Sequence, residues 1–253
     1  MSGQATAYRS KMPVSLKDQV ALVVGGSSGI GRSIAVGLAK EGCQVMAAAR
    51  RMDRLKALCE ELTNDGLTIK VQAADASRPS DMEDLAKRTI EAFGRIDILV
   101  YASGTNTPDR ALQRLTAAIW DELISVNLNG AYYATGAVLP AMREQGSGHL
   151  IYISSISGML PDFSGAAYQA SKRGLLGLAG AIRIEEKEHG IRTCVVCPGL
   201  VETEILERRP VMPTADVLAK ALQPEDIADM VIAVAKLPRR AVVPEMQLLP
   251  TYL

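Results

Sequence analysis

Tyr168 and Lys172 stand four residues apart in Ser164-Gly-Ala-Ala-Tyr-Gln-Ala-Ser-Lys. On a helix, positions i and i+4 share a face, so the phenol and the ammonium project into one space. An ammonium close to a phenol favours the phenolate and lowers its pKa from about 10. A tyrosine so placed can give a proton to a substrate oxygen, or take one from it, near neutral pH. Near the start, Val20-Ala-Leu-Val-Val-Gly-Gly-Ser-Ser-Gly-Ile-Gly-Arg reads as a strand, a glycine turn and a helix start. Gly25, Gly29 and Gly31 let the backbone approach a pyrophosphate whose charge sits at the helix N-terminus. The two motifs together predict an acid–base tyrosine beside a bound dinucleotide.

The second strand, Gln44-Val-Met-Ala-Ala-Ala-Arg-Arg, refines the cofactor. NAD enzymes usually place Asp or Glu about 20 residues beyond the glycines, on the ribose hydroxyls. Ala49, Arg50 and Arg51 stand there instead, leaving room and charge for a 2′-phosphate, so NADP(H) is favoured over NAD(H). Asp53, the nearest acid, reads as the cap of the helix that begins there. The same glycine run, Gly25-Gly-Ser27-Ser-Gly29, also matches the GxSxG elbow of serine hydrolases. That elbow would follow several strands and need a histidine, and only His149 and His189 exist, at a strand start and a helix end. A hydrolase would also leave Tyr168 and Lys172 without a role.

Apolar strand-like runs alternate with amphipathic helical stretches from end to end. The expected strands are 20–24, 44–49, 68–74, 96–101, 149–154, 191–196 and 241–249, with helices including 30–40, 55–62, 81–93, 115–143 and 166–188. Such alternation implies right-handed βαβ crossovers and a parallel sheet covered on both faces. The expectation is one Rossmann-type doubly wound α/β domain over 18–253, with a mainly seven-stranded parallel sheet, after an N-terminal extension over 1–17. Charge balances at 28 basic against 28 acidic residues, which argues against nucleic acid or anionic lipid as partner. No apolar run is long enough for a membrane span and no secretory signal is evident, so a cytoplasmic enzyme is the default. Cys194 and Cys197 have the CxxC form, but on a strand residues three apart point to opposite faces, so they read as buried apolar cysteines and no metal site is expected.

With Ser155 in Ile153-Ser-Ser-Ile-Ser-Gly, Asn127 in Val126-Asn-Leu-Asn-Gly, Asp75 after the third strand, and Pro198-Gly199 followed by Thr203, the chain resembles the short-chain dehydrogenase/reductase family from about Asp18 to Ile232. The resemblance implies that Tyr168 is the general acid or base, that Lys172 lowers its pKa and holds the nicotinamide ribose, and that Ser155 orients the substrate oxygen. It implies that Asn127 anchors a water linking Lys172 to solvent. It further implies that Gly25, Ser27, Ser28, Gly29, Ile30 and Gly31 line the cofactor, that Asp75 bonds the adenine with Ala76 beside it, and that Pro198, Gly199 and Thr203 frame the nicotinamide. Two positions depart from the family pattern. Val24 replaces a threonine, and Tyr101-Ala-Ser-Gly104 replaces Asn-Asn-Ala-Gly. An apolar contact between Val24 and Ala102 is expected in place of a hydrogen-bonded one.

The function expected is hydride transfer between nicotinamide and a ketone, aldehyde or secondary alcohol. The alternatives are a 3-oxoacyl thioester reductase acting on an acyl-carrier protein, for which the balanced charge gives no docking surface, and a non-catalytic dinucleotide sensor, which would show a broken Ser–Tyr–Lys set. Thr105, Ser157, Met159, Leu160, Phe163 and Leu200 are candidate pocket residues. The proline-punctuated stretch 203–224 reads as a lid or as a passive connection, and Arg208 and Arg209 within it as contacts for an anionic substrate or as solvated charges. The resemblance implies a homodimer or homotetramer paired through the helices over 115–143 and 166–188.

Overall fold

The computed structural model describes residues 14–252. Val20–Val24 (β1), Ile98–Tyr101 (β4) and Gly148–Ile153 (β5) are buried at every position, as strands covered on both faces must be. With Gln44–Ala49 (β2), Ile69–Ala73 (β3), Ile191–Pro198 (β6) and Glu245–Leu248 (β7), they form one parallel sheet in the order β3-β2-β1-β4-β5-β6-β7. The helices are Gly29–Lys40 (α1), Met52–Asn64 (α2), Pro79–Phe93 (α3), Ala117–Ile124 (α4), Gly130–Gln145 (α5), Ala166–Glu185 (α6), Ala215–Leu218 (α7) and Pro224–Ala235 (α8). Leu38 of α1, Leu55 and Leu58 of α2 and Val231 of α8 cover one face of the sheet. Leu85 of α3, Val138 of α5 and Leu175 of α6 cover the other. Cys194 belongs to the first core and Cys197 to the second, on opposite faces of β6.

Several expected boundaries move, each for a local reason. The helix expected over 115–143 is three segments: α4, a π turn at Ser125–Asn129, and α5. The last strand is confined to 245–248; Pro244 just before it accepts the first ladder bond from Val195 N–H but has no N–H of its own to carry the ladder further back. β4 begins at Ile98, since the backbone of Ile96 is bonded through both its N–H and its carbonyl to the Gln145 side chain. α2 starts at Met52, so Asp53 sits inside the first turn, where it faces the positive helix end, and does not cap it. α6 ends at Glu185 and a tight turn, Lys187–His189, leads into left-handed Gly190. Of the extension expected over 1–17, residues 1–13 lie outside the described residues. Val14 N–H already bonds the Lys236 carbonyl and Leu16 is buried in the core.

His149, second in β5, is 3% exposed, and among the described residues neither ring nitrogen has a hydrogen-bond partner. Burial, helped by the charge of neighbouring Arg192, pushes its pKa down to about 3. The unfolded histidine titrates near 6.5. Between those values the unfolded chain takes up a proton that the folded chain refuses, so stability falls as pH drops through about 6.5. From pH 7 to pH 5 the protein should therefore lose about 2 kcal/mol more unfolding free energy than His149→Leu. Denaturant titrations at both pH values check this, and parallel losses would show that His149 is not the source of acid sensitivity.

Candidate functional site

In an open parallel sheet, ligands bind beyond the carboxyl ends of the strands where the strand order reverses. Here that point is between β1 and β4. A cleft of ≈ 760 Å³ opens there. Gly25, Ser27, Ser28, Gly29, Ile30, Gly31, Arg50, Arg51, Asp75, Ala76, Ser155, Tyr168, Lys172, Pro198, Gly199 and Thr203 all line it. Asn127 does not line the cleft and lies fully buried behind it.

The glycine turn is pressed into its surroundings. Gly25 has φ +93, and a Cβ there would lie 2.6 Å from the Ser103 nitrogen. A Cβ on Gly31 would lie 2.2 Å from the Gly25 carbonyl oxygen and 3.1 Å from the Ala102 Cβ. Ala102 thus packs beneath the turn, on the face of the sheet opposite Val24, and the expected Val24–Ala102 side-chain contact does not form. Their link is the Ala102 N–H donating to the Val24 carbonyl at 2.8 Å. The Thr203 methyl stands over Gly29, 3.1 Å from where a Cβ would be.

At the β2 end, Arg51 donates to Ser28 Oγ at 2.8 Å and to Glu204 at 3.0 Å, and Arg54 pairs with the same carboxylate. These contacts hold the Glu204 carboxyl below its usual range, chiefly through Arg54 and Arg51. Arg50 makes no hydrogen bond or ion pair among the described residues, and its charge falls on Asp75. Burial raises the Asp75 pKa, but hydrogen bonds from Ser77 and the charges of Arg50 and Arg78 outweigh it, so the carboxyl ends below its ordinary value. One Asp75 oxygen is spent on Ser77; the other takes no bond from any described residue. A glycine-rich cradle at the start of α1, an unpaired guanidinium and a carboxylate oxygen with no bond from a described residue fit a nicotinamide dinucleotide.

The first turns of α6 bring Tyr168 and Lys172 to the cleft, as their spacing predicts, with Lys172 Nζ 5.7 Å from the Tyr168 ring centre. The electrostatics differ from the expectation. Lys172 is 4% exposed and donates to the Ile153 carbonyl at 2.9 Å. Burial lowers its pKa to about 8. The Tyr168 phenol is raised, not lowered: burial dominates, with Asp162 adding, against a hydrogen bond with Ser155 and the charges of Arg110 and Arg209. Ser155 caps a short turn, accepting from Ser157 N–H at 3.2 Å.

Asn127 sits in the π turn, a wider loop of helix that often marks a functional site. Its side-chain oxygen accepts from Thr105 N–H at 2.8 Å, and its amide donates to the Thr105 carbonyl and to Ser171 Oγ, each at 3.0 Å. The side chain therefore ties the loop after β4 to α6. The π turn also frees the Val126 carbonyl, which accepts from the Tyr101 hydroxyl. Tyr101, a departure from the family pattern, thus has its own structural partner.

At the substrate end, Thr105, Ser157 and Leu200 line the cleft as expected. Met159, Leu160 and Phe163 do not: Met159 packs on the core, Leu160 is exposed, and Phe163 is 100% exposed. The stretch after β6 covers the opening with a tight helical turn, Glu204–Arg208, anchored by buried Leu206. Arg54, Arg110 and Asp162 also line the cleft, and sequence reasoning passed over all three; Glu204 lines it too. Glu204 was readable only as part of the irregular stretch, and Arg110 lies in a loop with no periodic signal. His149 lines a different cavity at the opposite end of the sheet, so Ser27 has no hydrolase partner there.

A family model described as short chain dehydrogenase matches residues 19–212. An uncharacterized oxidoreductase of Staphylococcus saprophyticus is 34% identical over 94% of this chain and 99% of its own length. A metagenomic short-chain oxidoreductase solved in complex with NADP superposes with a TM-score of 0.81 at 35% identity, covering 94% of this chain and 99% of that one. A variant of the actinorhodin polyketide ketoreductase solved with NADPH gives 0.86 at 29% identity, covering 94% and 98%. The chain belongs to the short-chain dehydrogenase/reductase family. It is an NAD(P)-dependent oxidoreductase.

Proposed function

We propose that the protein is an NADP(H)-dependent carbonyl reductase or secondary-alcohol dehydrogenase in which Tyr168 is the general acid and base. The observation that carries this reading is one cleft holding the glycine turn, the phenol of Tyr168 beside Ser155, and Lys172 buried beneath it. When bound, the nicotinamide supplies hydride to a carbonyl carbon or takes it from an alcohol. Tyr168 gives its hydroxyl proton to the carbonyl oxygen, and its raised pKa keeps that proton in place until then. Ser155 bonds the same oxygen and orients it. Lys172, with one of its three N–H groups on Ile153, keeps two for ribose hydroxyls. Asn127 acts as a positioning residue through Thr105 and Ser171.

Gly25, Ser27, Ser28, Gly29, Ile30 and Gly31 would hold the pyrophosphate, Asp75 and Ala76 the adenine, and Pro198, Gly199 and Thr203 the nicotinamide amide. Arg50, with Arg51, would meet the 2′-phosphate; the solved relatives bound to NADP or NADPH support this preference. A homo-oligomer joined through the outer faces of α5 and α6 fits exposed Tyr132 and Ile184 and the open space beside Gly136, Gly177 and Gly180. No described helix is long and apolar enough to cross a membrane.

Tyr168→Phe should fold, bind NADPH, and lose about 100-fold or more in kcat, as expected for removing a positioned proton donor. Retained turnover on a good substrate would refute the acid assignment. Arg50→Asp should weaken NADPH binding by roughly tenfold or more while sparing NADH. Fluorescence titration reads both, and equal affinity of the unaltered protein for the two cofactors would sink the preference. Light scattering at micromolar concentration should report at least two chains per particle, and a monomer would exclude the α5–α6 pairing.

A further inference from the structure

We propose that Arg110 and Arg209 form an anion clamp at the substrate end of the cleft, and that the substrate is a carbonyl compound carrying a carboxylate or phosphate. This rests on the reading of the cleft as a carbonyl-reducing site and adds to it the charge of the molecule reduced.

Arg110 is held against the start of α6. Gly165, three residues before Tyr168, has φ +94, and a Cβ on it would lie 2.6 Å from the Arg110 Cβ. Only a glycine allows the loop after β4 and the helix carrying Tyr168 to approach this closely. The Arg110 guanidinium is aimed by two backbone carbonyls, Nε donating to Thr107 at 3.1 Å and Nη2 to Arg208 at 2.6 Å. That leaves three N–H donors, including both on Nη1, for something else. The second bond ties Arg110 to the stretch that brings Arg209 over the same cleft.

Arg209 is half-buried; its backbone N–H donates to the Leu206 carbonyl at 2.9 Å, but its guanidinium makes no hydrogen bond or ion pair with any described residue. Each guanidinium is close enough to the other, and to the Tyr168 hydroxyl, to act on it electrostatically. Arg110 is accordingly held below its usual pKa, first by burial and then by Arg209.

The acids nearby do not discharge the pair. Asp162 faces Arg110 and Tyr168, yet its oxygens receive Ser157 Oγ at 2.6 Å, Ser164 N–H at 2.8 Å and Ser164 Oγ at 3.0 Å. Glu204 is committed to Arg51 and Arg54. Glu207 lines the cleft but forms no ion pair with either arginine. Two partly desolvated guanidinium charges that share the field of one carboxylate, Asp162, and are ion-paired with none are costly together, and an anion delivered by the ligand lowers that cost. Planar guanidinium forks suit a carboxylate or a phosphate. Arg208, the other candidate from the sequence, is exposed and contributes its carbonyl to Arg110; its side chain is not part of the clamp.

The test compares matched substrates with NADPH: 3-oxo acids of several chain lengths against their methyl esters, and hydroxyacetone phosphate against hydroxyacetone. In the unaltered enzyme, kcat/KM for the charged member of at least one pair should exceed that of its neutral partner by about tenfold or more. Arg209→Ala should bring that ratio close to one, and Arg209→Lys should keep part of it. Taking the ratio cancels any change in Tyr168 acidity common to both members. Calorimetry on the Tyr168→Phe enzyme with NADP⁺ should show the charged member binding more tightly, and Arg209→Ala should remove the difference. Which pair responds tells a carboxylate from a phosphate. Neutral compounds reduced as well as their charged partners, or a charge preference unmoved by Arg209→Ala, would overturn the clamp while leaving the carbonyl-reducing site intact. Failure of every carbonyl compound to oxidise NADPH would instead overturn the underlying reading and the clamp with it.

Discussion

Taking an ammonium out of water costs several kcal/mol, and this fold does so at Lys172 with one acceptor among the described residues, the Ile153 carbonyl at the end of β5. Much of the surrounding structure is shaped by that choice. A Cβ on Gly104 would stand 3.2 Å from Nζ, and one on Gly158 would stand 2.9 Å from the Lys172 backbone carbonyl, so both positions are bare. Ser154 Oγ bonds that same carbonyl at 2.8 Å and fixes the turn of α6 that carries the amine. The π turn places Asn127 so that it grips the loop above Gly104 on one side and Ser171 on the other. With burial pulling its pKa to about 8, the amine is charged at neutral pH but held there weakly.

The cleft has arginines at both ends, and the two groups are balanced differently. At the β2 end Glu204 reaches across to Arg51 and Arg54, so the structure supplies its own counter-charge there. At the Tyr168 end the positive charge outnumbers the single carboxylate of Asp162, whose oxygens are occupied by serines. The segment after β6 contributes to both, through Glu204 at one end and Arg209 at the other. A single covering segment thus touches the regions assigned to cofactor and substrate.

The layered fold was legible because parallel strands buried on both faces leave continuous apolar runs, such as Val20–Val24 and Ile191–Val196, that survive any uncertainty in their ends. The ends were less legible because side chains set them: Gln145 takes over the backbone of Ile96, and the ring of Pro244 leaves no N–H to extend the last strand backwards. The π turn at Asn127 leaves no mark on the sequence, since the extra residue is absorbed by hydrogen bonding and not by a change in residue type. The positions of Tyr168 and Lys172 followed from helical spacing, but the direction of the Tyr168 shift did not. Spacing says that two groups are neighbours; it does not say how deeply they are buried or that the amine is already bonded elsewhere. Arg110 was invisible for a related reason, because only the tertiary contact at Gly165 brings its loop to the tyrosine.

The strand order also sets the sequence of events by which the site can come into being. β1 pairs with β2 through neighbours such as Ala21 and Val45, but on its other edge Ala21 meets Ile98, which enters the chain far later. Pairings of such separation are slow to close, because the entropy of the intervening loop must be spent before any contact repays it. During synthesis the glycine turn and its arginines can therefore assemble while Tyr168 and Lys172 have yet to emerge. The glycine turn and the arginines after β2 can be in place before Tyr168 exists, while Thr203 and Glu204, which close over them, come later still.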